Sequence, residues 1–305
     1  MEAAFVKRDI GASRAAEAMP RGALRGRFAS AAAVSILRRM GLYETMAEAY
    51  DELFPPAESA RSFFGRAPAD GSGRRPLAID LGCATGAHAG MLSELGWDVA
   101  GADPSEAMIA EAIDRRGRSG GIRFLVGGMM DVGAIAPGRG ASLIVCLGNT
   151  LPHLERAALG DFLSRAAAAL GQGGRLVVQL LNYARILSER PARLPEIRAG
   201  GWSLRRAYSY RDDGLIGFVT ELSRGYPPVS SAAGSRGAGT PEAGSPEGRS
   251  PIQADETRLT PYIVDDVLGA ASVSGLEPKG VYSSWTREPF DPGTSTVALL
   301  ELGRA

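Results

Sequence analysis

Cysteine and histidine are scarce: the 305 residues hold two of each. The two thiols, Cys83 and Cys146, sit in apolar runs, which excludes a disulfide-stapled scaffold and reads as buried, reduced side chains. Two histidines among scattered carboxylates form no convincing metal set, so no metal is expected. Charge of one sign is not in excess either, with 34 basic against 34 acidic residues. That balance argues against a nucleic-acid partner, because phosphate binding usually shows as a basic excess on the domain. No apolar run approaches the ~20 residues of a membrane span. No clean apolar h-region marks a secretory signal, and no internal repeat recurs. The expectation is a soluble, cytoplasmic protein whose oligomeric state is open.

What the sequence does have is alternation. Residues 1–40 are rich in Arg and Ala and poor in acid, and read as an N-terminal extension, with an organellar presequence as the alternative. From Leu77 onward, short β-rich runs alternate with helix-length segments. The candidate strands are LAIDLG, WDVAGAD, IRFLVG, ASLIVCLG and GRLVVQLL. Between them fall helices over Ala87–Leu95, Ser105–Arg116 with Ser105 as N-cap, and Glu155–Leu170. Strands alternating with helices imply parallel pairing through right-handed crossovers. The fold class is therefore α/β, a doubly wound Rossmann-like sheet. GLEPKGVYSSW and TSTVALLELG supply two closing strands, for seven in all. WSLRRAYSYR and GLIGFVTELSR have a two-residue period around DDG and read as an antiparallel hairpin inserted over 198–260. Within it, 226–255 is Gly/Ser/Pro-rich and reads as a disordered loop.

The stretch PLAIDLGCATGAHAG carries the chemistry. A strand ending at Asp80 and turning through Gly82 and Gly86 presents main-chain N–H groups at the carboxyl edge of the sheet, where ligands of open α/β sheets bind. The two glycines leave no Cβ to hold a ligand off the chain. The second strand ends in Asp103, a carboxylate suited to both hydroxyls of a ribose. A dinucleotide fingerprint G-x-G-x-x-G fails, because Ala84 and Ala87 stand at its second and third glycine positions. An acid two residues before the first glycine repels a pyrophosphate. It suits a ligand with a cationic amino group and no phosphate, such as S-adenosylmethionine.

AIDLGCATG followed by VAGADPSEAMIAEA resembles the first two motifs of class I S-adenosylmethionine-dependent methyltransferases. FLVGGMMDV, LIVCLGNTLPHL, GGRLVVQLLNY and PFDPGTSTVALLEL continue the resemblance, and YETMAEAYDELFPP resembles the family's N-terminal lid. LGNTLPHL and LLNYARIL are similar to segments of glycine N-methyltransferase-type small-molecule enzymes. The resemblance implies a catalytic domain over 41–305 with its lid over 41–75. It implies S-adenosylmethionine as cofactor and a small molecule with a nitrogen or oxygen nucleophile as methyl acceptor. The cofactor set it implies is Tyr50, Asp80, Gly82, Cys83, Ala84, Gly86, Asp103, Pro104, Met108, Met129, Met130, Leu147 and Gly148. Gly128 stands where the family usually has an acid, which removes one adenine contact.

Asn149, His153, Asn182 and Tyr183 follow the fourth and fifth strands and are the candidate acceptor residues. His88 reads as a packing or capping residue. Tyr50 and Asp51 read as closing over the cofactor, or else as one buried helix face. The Arg205–Arg206 pair reads as a solvated hairpin face, or else as a cation for a carboxylate on the acceptor. No catalytic dyad is expected, since an amine that binds neutral needs no base. A catalytically silent cofactor-binding module, an NAD-dependent oxidoreductase and a nucleic-acid methyltransferase are the rival functions.

Overall fold

The structure, a computed structural model, describes residues 46–68, 73–117, 120–135, 138–225 and 253–304. The Arg/Ala-rich segment and most of the Gly/Ser/Pro-rich stretch, residues 226–252, lie outside the described residues. The described residues begin with helix α1 over residues 46–53 and α2 (Glu58–Phe64). There follow β1 (Leu77–Leu81), α3 (Ala87–Glu94), β2 (Asp98–Asp103), α4 (Glu106–Arg116), β3 (Ile122–Val126), α5 (Val132–Ile135), β4 (Ala141–Cys146), α6 (Leu159–Ala169) and β5 (Leu170–Leu181). Then come α7 (Tyr183–Glu189), β6 (Arg193–Ala199), β7 (Trp202–Tyr210), β8 (Ile216–Arg224), β9 (Gln253–Leu259), α8 (Val264–Val273), β10 (Leu276–Tyr282) and β11 (Val297–Arg304).

Seven strands form the main sheet in the order β10-β11-β5-β4-β1-β2-β3. The four pairings that join β5, β4, β1, β2 and β3 are parallel, and β11 pairs antiparallel with both β5 and β10. All five residues of β1 are buried, as a parallel strand covered on both faces requires. Leu77, Ile79 and Leu81 face one core with α6 and α8, and Ala78 faces the other with α2 and α3. Helix α4 starts where Ser105 Oγ accepts from Met108 N at 3.3 Å and ends on Arg115 and Arg116, which suit the negative end of its dipole.

Three expectations change. The inserted hairpin is a four-stranded antiparallel sheet, β6-β7-β8-β9, beginning at Arg193 rather than 198. Its third partner β9 starts at Gln253, inside the stretch read as loop to 255, because β8 offers a full ladder edge from Ile216 to Leu222. The helix expected over 155–170 opens instead as a separate 3-10 turn, Arg156–Ala158, and β5 starts four residues early at Leu170.

Candidate active site

Strand order reverses between β1 and β4, so the loops that follow them part and leave a crevice. There a cavity of about 270 Å³ opens between the carboxyl edge of the main sheet and the four-stranded sheet. Its floor includes Asp80, Gly82, Cys83, Ala84, Leu147, Gly148 and Asn149. Its roof includes Leu204, Arg206, Phe218, Thr220 and Leu259, and Met46, Tyr50 and Phe54 close one side.

Gly82, Ala84 and Gly86 all have left-handed backbone, at φ 70°, 47° and 80°. The glycines are required by the protein itself. A Cβ on Gly82 would lie 2.5 Å from Thr150 Cγ2, and one on Gly86 would lie 2.6 Å from the Phe124 ring. Beside the clearance for a ligand that the sequence suggests, the glycines clear space for two side chains. Ala84 carries the strain that a glycine would relieve. Asp103 offsets it, with Oδ2 accepting from Ala84 N at 3.0 Å and Oδ1 from Ser105 N at 2.9 Å. Each oxygen keeps a further lone pair for a ligand. Asp103, Gly86 and Pro104 do not line the cavity, and Pro104 is exposed.

Asp80 is 2 % exposed, and its Oδ2 has no hydrogen-bond partner among the described residues. Burial, with the Asp103 charge added, pushes its pKa up to about 7 against an opposing hydrogen bond from the Ala89 amide. A carboxyl group in this state is poised to receive a cation. His88 also lines the cavity, and burial pushes its pKa down to about 4, so it is neutral near pH 7. Cys83 and Cys146 are both buried, and burial raises both thiols.

Of the expected cofactor and acceptor residues, the cavity wall gathers Tyr50, Asp80, Gly82, Cys83, Ala84, Leu147, Gly148, Asn149 and His153. Others are spoken for. Asn182 caps α7, its Oδ1 accepting from Arg185 N at 3.3 Å, while Nδ2 donates to Pro292 O at 2.8 Å and Ser295 O at 2.9 Å. Its amide is a tether, not an acceptor contact. Tyr183 is 1 % exposed and its hydroxyl accepts from Asn149 Nδ2 at 2.9 Å, so it acts on the cavity only by fixing Asn149. Asn149 Oδ1 in turn accepts from Leu181 N at 3.1 Å. Met108 is fully buried in a cluster with α1, Ala84, Trp202 and Leu204 and does not itself line the cavity. Met129 and Met130 pack on the main core, and the Met129 sulfur lies 3.7 Å from Cys146 Sγ.

Asp51 does not reach the cavity. It pairs with Arg116 at 2.7 Å and Arg115 at 3.1 Å and accepts from Thr85 Oγ1, clasping α1 to α4 and the glycine turn. The Arg205–Arg206 pair divides: Arg205 is exposed beside Glu221 and Glu196, and Arg206 lines the roof. Gln179, which sequence reasoning missed, lines the wall and accepts from Gly148 N at 2.9 Å. The signal for Thr220 and Arg206 was available in the two-residue period of β7 and β8, which puts polar residues among apolar ones on one face.

With this geometry in place, the comparisons converge. Residues 78–174 match the family described as a methyltransferase domain. The chain is 29 % identical over 188 residues to a glycine/sarcosine N-methyltransferase of Aphanothece halophytica, spanning 59 % of this chain and 68 % of that one. It is 31 % identical over 155 residues to the enzyme of the same name from Halorhodospira halochloris, spanning 48 % of this chain and 55 % of that one. The CcbJ methyltransferase from Streptomyces caelestis shares the fold at a TM-score of 0.63 and 19 % identity, over 85 % of this chain and 96 % of that one.

Residues 78–174 carry a methyltransferase domain, and the chain has the fold of S-adenosylmethionine-dependent methyltransferases. Its cofactor is S-adenosylmethionine. The residues fit that ligand, since the orphaned Asp80 oxygen suits its amino group. The methyltransferase has no helix, among the described residues, long and apolar enough to cross a membrane.

Proposed function

We propose that this methyltransferase methylates a small molecule at a nitrogen or oxygen nucleophile, with nitrogen favoured by the names of its curated relatives. The observation that carries the reading is the partly covered cavity. The four-stranded sheet and α1 cover the sheet edge, so an acceptor must fit within walls and not lie across an open face. Two unpaired thiols support a cytoplasmic setting.

Asp80 receives the amino group of the cofactor, and the main chain from Gly82 to Ala84 with Leu147 and Gly148 lines its methionine part. Asp103 uses its remaining lone pairs for the ribose, with Pro104 and the Met129 segment toward the base. When bound, the cofactor supplies a methyl group activated by a sulfonium. The protein's part is to orient an acceptor near Asn149 and His153 and to keep water out. Holding two reactants at contact distance contributes on the order of 7–11 kcal/mol. No residue is assigned as a base, since a neutral amine needs none. The test is incubation with methyl-labelled cofactor and a cell extract split by size. Label in the low-molecular-weight fraction is expected, and label confined to protein or nucleic acid would overturn the reading.

A further inference from the structure

The inner face of the four-stranded sheet carries polar groups without hydrogen-bond partners among the described residues, and of these Arg206 and Thr220 line the cavity. Antiparallel pairing sets Arg206 opposite Thr220, Tyr208 opposite Phe218, and Phe218 opposite Thr257, all on the inner face of the four-stranded sheet. Thr220, Thr257 and Tyr208 are 3 %, 3 % and 7 % exposed. Their hydroxyls and Arg206 Nε make no hydrogen bond among the described residues. Native interiors leave few such groups unmatched, so several in one patch need an explanation. Valine would fill a threonine site of the same shape with no polar atom to satisfy. One arm of the Arg206 guanidinium is fixed, Nη2 donating to Pro195 O at 2.8 Å, which sets the orientation of the rest. No ion pair of Arg206 with a carboxylate occurs among the described residues, whereas its neighbour Arg205 has two acidic partners outside. Burial draws its pKa below the ordinary arginine value.

Arg206 offers a fixed cation that only donates hydrogen bonds, and the adjacent hydroxyls donate as well. Such a set matches an acceptor-rich anion, and the planar fork matches a carboxylate. Asp80 stands on the opposite wall, so the cavity is acidic on its floor and cationic on its roof. From this placement we infer that Arg206 and Thr220 form the specificity-determining subsite for a carboxylate on the methyl acceptor. The inference rests on reading the cavity as a methyl-acceptor pocket. The cofactor has a carboxylate too, and the experiment separates the two sources.

The full-length enzyme is given labelled S-adenosylmethionine and small amino acids paired with their primary amides, which differ only in the anion. The acid is expected to exceed its amide at least tenfold in kcat/KM. Arg206→Gln is expected to raise KM for the acid by about 10–100-fold with a smaller change in kcat, and Arg206→Lys to restore part of it. Thr220→Val loses about threefold to tenfold. Calorimetry with S-adenosylhomocysteine is expected to give wild-type affinity in all three variants, which also verifies folding. If Arg206→Gln weakens S-adenosylhomocysteine as much as the acid, the anion is the cofactor's and the inference fails. Equal rates for acids and amides also overturn it. If no small amine is methylated, the reading of the pocket fails first. The subsite is then decided by titrating the S-adenosylhomocysteine complex with acetate: binding to wild type alone supports it, and binding to neither protein refutes it.

Discussion

The proposed contact of Asp80 with the cofactor's amino group gives the sharpest handle on cofactor binding. In the free enzyme its pKa is pushed from 3.8 up to about 7, chiefly by burial and then by the Asp103 charge. That difference is worth roughly 4 kcal/mol against the carboxylate, to order of magnitude. A raised pKa means the folded protein binds more protons than the unfolded chain. The contribution to stability is thus fully present below the unfolded value and is lost as pH rises toward about 7. A bound ammonium group favours the carboxylate and returns the pKa toward normal, so ligand binding must release the proton. At about pH 6 roughly 0.9 proton should leave per S-adenosylhomocysteine bound, and at about pH 7.5 roughly 0.2. Over the same interval affinity should fall roughly eightfold toward the acid side. Titration calorimetry in two buffers of different ionisation enthalpy reads the proton count directly. Asp80→Asn should bind with no buffer dependence and a flat pH profile. Wild-type binding at about pH 6 without proton release, or the same release from the variant, would refute the assignment.

Other outcomes follow from the same contacts. Asp51→Ala strands Arg115 and Arg116 and should cost about 1.5–3 kcal/mol, read as a lower Tm. Burial works to raise the Asp51 pKa, but Thr85, Arg116 and Arg115 outweigh it and hold the group below 3.8. The stability from this clasp is therefore present above the ordinary value and should be lost as pH falls through the lower folded one. Gly82→Ala places a methyl 2.5 Å from Thr150 at φ 70° and should destabilise by about 2–4 kcal/mol in a denaturant titration. Asn182→Ala removes a cap and two tethers, so it should lower Tm by the equivalent of about 1–3 kcal/mol. In the native enzyme Cys83 and Cys146 should resist iodoacetamide at about pH 8 and label only on unfolding, since burial raises both thiols.

The main sheet was legible because its central strands are short apolar runs bounded by glycine and acid, and β1 is buried along its whole length. Asp80 and Asp103 stood out in the sequence as carboxylates at the carboxyl ends of β1 and β2, where the structure places them. The four-stranded sheet was half legible: β7 and β8 alternate around a tight turn, but β6 carries RLPEIRA, too polar and proline-broken to stand out. Which face of β7 turns inward depends on what the sheet covers, so Arg206 could not be told from Arg205 by spacing alone. Asn149 and Asn182 look alike in sequence, each following a strand. Only the loop at Pro292–Ser295, packed back from near the end of the chain, shows why Asn182 is consumed. Likewise the clash partners of Gly82 and Gly86 come from other strands and turns, so a need for glycine was visible while these partners were not.

The crystal structure of the enzyme with S-adenosylhomocysteine tests the cofactor site most directly. The ligand should lie in the crevice beneath the four-stranded sheet, with its amino group on Asp80 and its ribose hydroxyls on Asp103. Density for it on any other face, or none at a saturating concentration, would contradict the site.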